Sequence, residues 1–210
     1  PKTVLALVLA PTRELAMQIM TALQSLSTGK DRPRINLVVG GRSLFAQQQV
    51  LQKGSEILVA TPGRLIDLLD RKALRLNETR FLVLDEADQM LDLGFIHALR
   101  RIAPLLPKDR QTMLFSATMP KLMEDLSRAF LNDPLRVQVA TPGKAADKVA
   151  QSVHFVAQDR KQALLIDLLD AHRNDRALVF ARTKHGAERL MNQLDRAGFA
   201  ASSIHGNKSQ

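Results

Sequence analysis

The chain has 210 residues, 45% hydrophobic and 24% charged, with thirty Lys and Arg against twenty-one Asp and Glu and a formal net charge of +9. That length suits two compact units of ordinary globular composition, and no apolar run approaches the roughly 20 residues needed to span a bilayer. Cysteine is absent, which excludes disulfides and thiolate metal sites and fits a reducing, cytoplasmic setting.

The chain opens with Pro1–Lys2 and passes directly into a strand-like run, so no secretory signal is expected. Nineteen basic residues oppose fourteen acidic ones up to Ala140, and eleven oppose seven beyond it. The excess therefore reads as spread over both parts, and it points to a polyanionic partner. Tyr and Trp are absent and eight Phe supply the aromatics. Contacts to phosphate and sugar are expected in preference to base stacking.

Short apolar runs alternate with amphipathic stretches, the pattern of an α/β fold with a parallel sheet covered by helices. Strands are predicted over Val4–Leu9, Ile35–Val39, Ile57–Ala60, Phe81–Leu84, Thr112–Phe115 and Leu135–Val139. They are apolar almost throughout, as expected when both sheet faces are covered. Helical spacing places Leu15, Ile19, Ala22, Leu23 and Leu26 on one face of Arg13–Leu26. Leu65, Leu68 and Leu69 follow Gly63 at that spacing, and Leu122, Leu126, Ala129 and Phe130 follow Pro120, a first-turn proline. The Gln47–Gln49 run reads as a helix face.

Ala140–Lys148 is small, polar and turn-rich, and reads as a linker. Residues 1–139 form the first expected unit. Over 149–210 the alternation restarts with strand Val149–Val156, helix Arg160–His172, strand Ala177–Phe180, helix Thr183–Ala197 and strand Ala200–Ile204, the start of a second α/β unit. His97, His154 and His172 lack a second ligand at metal spacing, and Met17, Met20, Met113, Met123 and Met191 read as core filler.

The chemistry concentrates where strands end. Leu84–Asp88 closes an apolar strand with adjacent carboxylates at the carboxyl edge of a parallel sheet, where open α/β folds bind ligands. Asp85 suits Mg²⁺ on nucleotide phosphates, and Glu86 suits orienting or deprotonating water; acids at a helix N-terminus are favoured by the dipole in any case. Pro11–Ala16 and Thr61–Arg64 are strand-to-helix junctions with a hydroxyl at the cap and an arginine beside it, Arg13 and Arg64. Free N–H groups there suit an anion. Gly40–Gly41 ends another strand without side chains, open to close approach of a polymer backbone. Each alone is equally a capped helix or a turn; three on one edge suit a sugar-phosphate chain. Ser116 and Thr118 end the next strand, where their hydroxyls could meet Asp88 and link the two regions.

PTRELA, GG, TPGR, DEAD and SAT, in this order and spacing, resemble the motifs of the DEAD-box ATP-dependent RNA helicases, and VFARTK resembles the first motif of their second RecA-like domain. The resemblance covers essentially the whole chain. RTKHGAERL, HGNKSQ and DLGFIHALRRI are most similar to the bacterial RhlE-type subgroup. It implies two RecA-like domains, the first missing its N-terminal part and the second truncated. It also implies ATP and Mg²⁺ as cofactors, RNA as the partner, and ribosome-assembly or RNA-decay proteins as further candidates. The activity implied is ATP-driven separation of short RNA duplexes and remodelling of RNA–protein complexes.

By the same resemblance Asp85 holds Mg²⁺ through water and Glu86 activates the hydrolytic water. Asp88, Ser116 and Thr118 couple hydrolysis to RNA. Thr12, Arg13, Gly41, Thr61, Gly63, Arg64 and Thr183 hold the RNA backbone. No stretch follows the G-x-x-x-x-G-K-[ST] pattern of a phosphate loop; Thr28–Asp31 follows a helix and lacks the first glycine. The family's arginine-rich motif is expected beyond Gln210. The 210 residues by themselves are therefore expected to be inactive as an ATPase. Two other readings are a catalytically silent, nonspecific RNA-binding module and a DNA-directed helicase, the latter distinguished by the 2′-OH.

Overall fold

The computed structural model describes residues 3–138 and 149–206. Two compact units divide the chain, Pro1–Lys144 and Ala145–Gln210. The opening Pro1–Lys2, Val139, the linker at Ala140–Lys148 and the end of HGNKSQ from Asn207 lie outside the described residues.

The first unit is built on five strands: β1 (Ala6–Leu9), β2 (Ile35–Val38), β3 (Ile57–Ala60), β4 (Phe81–Leu84) and β5 (Gln111–Leu114). All pairings are parallel, in the order β2-β3-β1-β4-β5. The helices are α1 (Arg13–Leu26), α2 (Leu44–Gln52), α3 (Pro62–Asp70), α4 (Ala87–Asp92), α5 (Ile96–Ile102) and α6 (Lys121–Phe130). The expected RecA-like α/β architecture is present here.

The route explains the layering. The chain steps from β1 out to β2, then returns through β3 and past β1 to β4 and β5. Right-handed crossovers place helices from steps in opposite directions on opposite faces. Accordingly, Ala16, Leu15, Ile19, Met20 and Leu23 of α1 pack on Val8, Val39 and Val59. The other face carries Leu7, Leu9, Leu58, Leu82 and Leu84 beneath Leu51, Leu65, Leu68, Met90, Leu99, Met123 and Phe130 of the remaining helices. Successive strand residues thus enter different cores, as the two-residue period requires, and nearly all must be apolar.

Two expectations are corrected. Leu135–Gln138 forms no paired strand, and Leu135 is 90% exposed. Among the described residues of the second unit the helices form, α7 (Lys161–Asp170) and α8 (Lys184–Arg196), and no strand does. The expected strands at 149–156, 177–180 and 200–204 are unpaired, leaving Phe155, Phe180 and Ile204 exposed. A run of apolar residues becomes a strand only where a neighbouring backbone accepts its N–H and C=O groups, and no such neighbour stands beside these among the described residues. Pro120 also shifts by one position, serving as the N-cap of α6. No helix among the described residues is long and apolar enough to cross a membrane.

The sheet is not evenly covered. Phe81, Met113 and Phe115 lie exposed on the α1 side of β4 and β5, and β5 has no partner on its outer edge among the described residues. Such a surface favours association. Sedimentation of the 210-residue chain is expected to show concentration-dependent self-association, reduced by Phe115→Lys. A sharp melt independent of concentration would contradict this.

Candidate functional site

Because the strands are parallel, every junction singled out in the sequence lies on one edge of the sheet. In spatial order it carries Gly40–Gly41 after β2, Thr61–Arg64 after β3, Pro11–Arg13 after β1, Asp85–Asp88 after β4 and Ser116–Thr118 after β5. The order divides the edge into a segment of cap and glycine junctions and a segment of carboxylates and hydroxyls, meeting at β1. Two ladder extensions hold the meeting point: Ala10 N–H donates to Ala60 O at 3.0 Å, and Asp85 N–H to Leu9 O at 3.0 Å.

An open cleft of about 350 Å³ lies over the first segment, lined by Thr12, Arg13, Gly41 and Thr61 with Gly40 and Phe95. Thr12 caps α1, its hydroxyl accepting from Leu15 N–H at 3.2 Å. Thr61 occupies the cap of α3, but its hydroxyl makes no capping bond. The first-turn donors of α3 are already reduced by Pro62, which suits the start of a helix. Gly41 has φ +77, and a Cβ there would collide with Arg13 Nη1. Arg13 thus occupies the space that the missing side chain leaves, as well as bordering the cleft. Gly63 faces Phe95, 3.6 Å from where its Cβ would stand.

Arg64, expected to hold the RNA backbone, turns largely inward. Its side chain is only 13% exposed, with Nε 3.5 Å from Asp67 and Nη1 donating to Arg42 O at 2.8 Å. The guanidinium braces the loop after β2 from the start of α3. Gln47, read from sequence as an undistinguished helix face, does the same from α2. Its Oε1 accepts from Val39 N–H at 3.0 Å, while Nε2 donates to Val39 O at 3.2 Å and approaches Arg42 O and Ser43 O at 3.4 and 3.3 Å. One buried amide thereby completes the strand end and fixes the glycine loop. The only sequence signal was a polar residue on the apolar side of α2 facing an unpaired strand end. Phe95 was likewise missed as a lining residue, although its stretch was noted.

In the second segment, Asp85 Oδ1 accepts from Glu86 N–H at 3.0 Å. Glu86 adopts a left-handed backbone, φ 47 and ψ 53, at the cap of α4. That conformation is costly for a side chain with a Cβ, and it turns the strand end abruptly into the helix. Asp88 reaches across to β5: its Oδ2 accepts from Thr118 N–H at 2.9 Å and Thr118 Oγ1 at 2.8 Å. Ser116 contributes differently from expectation. Its hydroxyl accepts from Asp88 N–H at 3.2 Å and donates to Thr118 O at 2.7 Å, so it braces the turn, while Thr118 gives the Asp88 carboxylate its strongest donors. Burial opposes ionisation of Asp88, but donors from Thr118 and from Gln89 N–H outweigh it and hold the carboxyl below its usual range.

Among the described residues no three His, Asp or Glu side chains cluster as metal ligands. Asp85 and Glu86 offer hard oxygen donors on an accessible edge, a fit to hydrated Mg²⁺ held by one or two carboxylates, water and phosphate. Thr183 belongs to the second unit, where it caps α8 by accepting from Gly186 N–H at 3.0 Å. A shallow hollow of about 510 Å³ runs along α8 past His185, Arg189 and Arg196 and includes none of the expected residues.

Residues 1–126 match the sequence profile described as DEAD/DEAH box helicase. The chain is 43% identical over 211 residues to the protein named ATP-dependent rRNA helicase rrp3 of Aspergillus terreus, covering 100% of this chain and 47% of that protein. A crystal structure of a DEAD box protein from the hyperthermophile Methanococcus jannaschii superimposes with a TM-score of 0.61 at 34% identity, covering 99% of this chain and 55% of that one. The chain thus spans about half the length of these relatives. One is fungal and the other archaeal, so a bacterial origin finds no support in them.

Two outcomes test the geometry. Gln47→Leu is expected to cost about 1–3 kcal/mol, because Val39 N–H and C=O lose their partners, and to shift the Gly40 and Gly41 amide resonances; Gln47→Glu keeps the acceptor for Val39 N–H but not the donor to Val39 O, and should fall between the wild type and Gln47→Leu. Thr118→Val is expected to raise the pKa of Asp88. With the folded pKa below the unfolded value, the wild-type carboxylate stabilises the fold above the unfolded pKa. That contribution disappears as pH falls through the folded value. The wild-type and variant melting temperatures should therefore differ at neutral pH and converge in acid.

Proposed function

We propose that this chain, which belongs to the DEAD/DEAH box helicase family, comes from an ATP-dependent RNA helicase that separates short RNA duplexes and remodels RNA–protein complexes. The observation that carries the reading is the division of one sheet edge. Thr12, Arg13, Gly41 and Thr61 share a cleft, and the carboxylate pair begins on the strand hydrogen-bonded beside β1. Ligands at both places would touch neighbouring strand ends of a single rigid sheet.

In this reading the cleft takes an RNA backbone. Thr12, Thr61, Gly63 and the α1 and α3 N-termini contact phosphates, and Arg13 adds charge. Arg64 acts through the loop it braces as much as by contact, and Thr183 contributes from the second unit. Such contacts give affinity with little sequence preference. Asp85 holds Mg²⁺ through water, and Glu86 orients or accepts a proton from the attacking water. The metal neutralises charge on the phosphates of ATP when bound. Asp88 with Thr118, and Ser116 behind them, ties the β4 end to the β5 end, so that movement at one is felt at the other.

The name of the Aspergillus terreus relative favours ribosomal RNA as the substrate, and ribosome-assembly or RNA-decay proteins are the proposed partners by the family resemblance. The RhlE-type subgroup rests only on the RTKHGAERL, HGNKSQ and DLGFIHALRRI stretches, and a cytoplasmic location on composition. Since the 210 residues contain no G-x-x-x-x-G-K-[ST] segment, the chain alone is proposed to bind RNA without turning over ATP.

The test is Mg²⁺-dependent ATP hydrolysis by this chain, with and without single-stranded RNA, beside Glu86→Gln. Salt-sensitive RNA binding with no turnover is the expected result. RNA-stimulated turnover abolished by Glu86→Gln would overturn the inactivity of the chain and keep the roles of the residues. Absence of RNA binding at low salt would overturn the cleft assignment.

A further inference from the structure

The positive charge of the first unit does not lie where the cleft lies. The strand-to-helix loops on the carboxyl edge, at 10–12, 39–43, 61, 85–86 and 115–120, hold one basic residue and two acids. Adding the first turn of each following helix gives four basic residues and five acids. The opposite edge is different. The loops entering β2 to β5, at 27–34, 53–56, 71–80 and 103–110, hold ten basic residues and four acids. That excess of six exceeds the excess of five in all residues up to Ala140. The apparent spread of charge along the sequence is therefore a concentration on one edge in space.

Backbone bonds align this edge. Glu56 N–H donates to Arg34 O, Leu5 N–H to Glu56 O, Arg80 N–H to Leu5 O and Gln111 N–H to Arg80 O, at 3.1, 3.1, 2.8 and 2.8 Å. The Thr3–Arg75 bridge lies alongside. At about 4.8 Å per strand the row spans about 19 Å. Some of its cations are structural: Arg34 is paired with Glu56, whose carboxyl it lowers to about 2, and Arg110 donates to the carbonyls of Pro107 and Phe130. Lys30, Arg32, Arg71, Lys72, Arg75 and Arg80 are exposed, and among the described residues none of them forms an ion pair.

We propose that this amino edge is a second docking surface for RNA, taking the sugar-phosphate backbone of a strand or duplex flanking the one in the cleft. The inference rests on RNA being the ligand of the cleft. Charge complementarity selects a polyanion. Four of the six exposed cations are arginines, whose planar fork pairs with phosphate oxygens. Contacts of exposed cations to phosphate carry no sequence information, so the edge anchors without sequence preference. The two edges of one sheet would then divide the work, one holding the strand being acted on and the other retaining the larger RNA.

The test uses fluorescence anisotropy of the 210-residue chain with labelled RNAs of six and thirty nucleotides across a salt series. The variant Arg71→Gln/Lys72→Gln/Arg75→Gln/Arg80→Gln is expected to bind the long RNA about tenfold more weakly. Its salt slope should be shallower by about three, at about 0.7 per lost phosphate contact. Hexamer binding should stay within about twofold. Lys30→Gln/Arg32→Gln, on a separate loop, should repeat the pattern in smaller measure, with circular dichroism melts reporting that both variants fold. Unchanged affinity and slope in both would overturn the proposal and leave a merely solvated face. So would equal losses for both RNAs, or preference for polyglutamate over RNA of equal charge. Failure of the cleft reading would look different: Thr12→Val would leave hexamer binding unchanged while the quadruple variant still weakened the long RNA.

Discussion

Parallel pairing obliges all five strands of the first unit to begin at one edge of the sheet and finish at the other, and the position of β1 decides what that arrangement can do. It is hydrogen-bonded to β3 on one side and β4 on the other. The junction that follows it borders both the cleft and the carboxylate end. Leu7 and Leu9 enter one core and Val8 and Ala10 the other. A four-residue strand thus positions chemistry on two sides of itself while being buried on both faces. A small displacement of β1 would move both regions at once, whereas a displacement of β2 or β5 would reach one.

The strands that form were legible because the physics that forms them leaves a simple trace. Ile57–Ala60 and Phe81–Leu84 are found with the expected bounds, since residues feeding two cores must be apolar in succession. The same trace misled in the second unit. Val149–Val156 and Ala177–Phe180 are as apolar as true strands, yet no backbone neighbour completes them among the described residues. Apolarity reports the demand for burial, and the partner that meets the demand lies elsewhere in the chain. The site shows the same division. The order of PTRELA, GG, TPGR, DEAD and SAT revealed which residues gather on an edge. It did not reveal that Arg64 turns inward to a carbonyl, or that Gln47 supplies the bonds that the end of β2 lacks. Both are polar side chains whose role depends on unpaired backbone twenty-two and eight residues away. Charge was hardest to read, because basic residues separated by whole helices in sequence return to one edge in space.

Asp88 and Thr118 show how little structure is needed to connect two strand ends. A carboxylate takes a hydroxyl and an N–H from the same residue, and Ser116 holds the backbone on which that residue sits. The arrangement is short, charge-assisted and partly shielded, so it resists shear between β4 and β5 more than its number of bonds suggests. The hydroxyls at those two positions have distinct roles, one on the Asp88 backbone and one on its carboxylate.

Glu86 stands in a conformation that its own side chain disfavours. A left-handed backbone at a residue with a Cβ is a standing disadvantage to the folded state, and a glycine would relieve it without disturbing the helix that follows. The glutamate stands against the preference of its own backbone, which gives the position a different expected history from its neighbours. In a lineage where the carboxylate no longer served, purely conformational pressure would carry position 86 toward Gly or Asn. The buried leucines of β4, answerable only to packing, would stay as they are. The residue found at 86 in a divergent copy would thus distinguish retained chemistry from a scaffold kept for other ends.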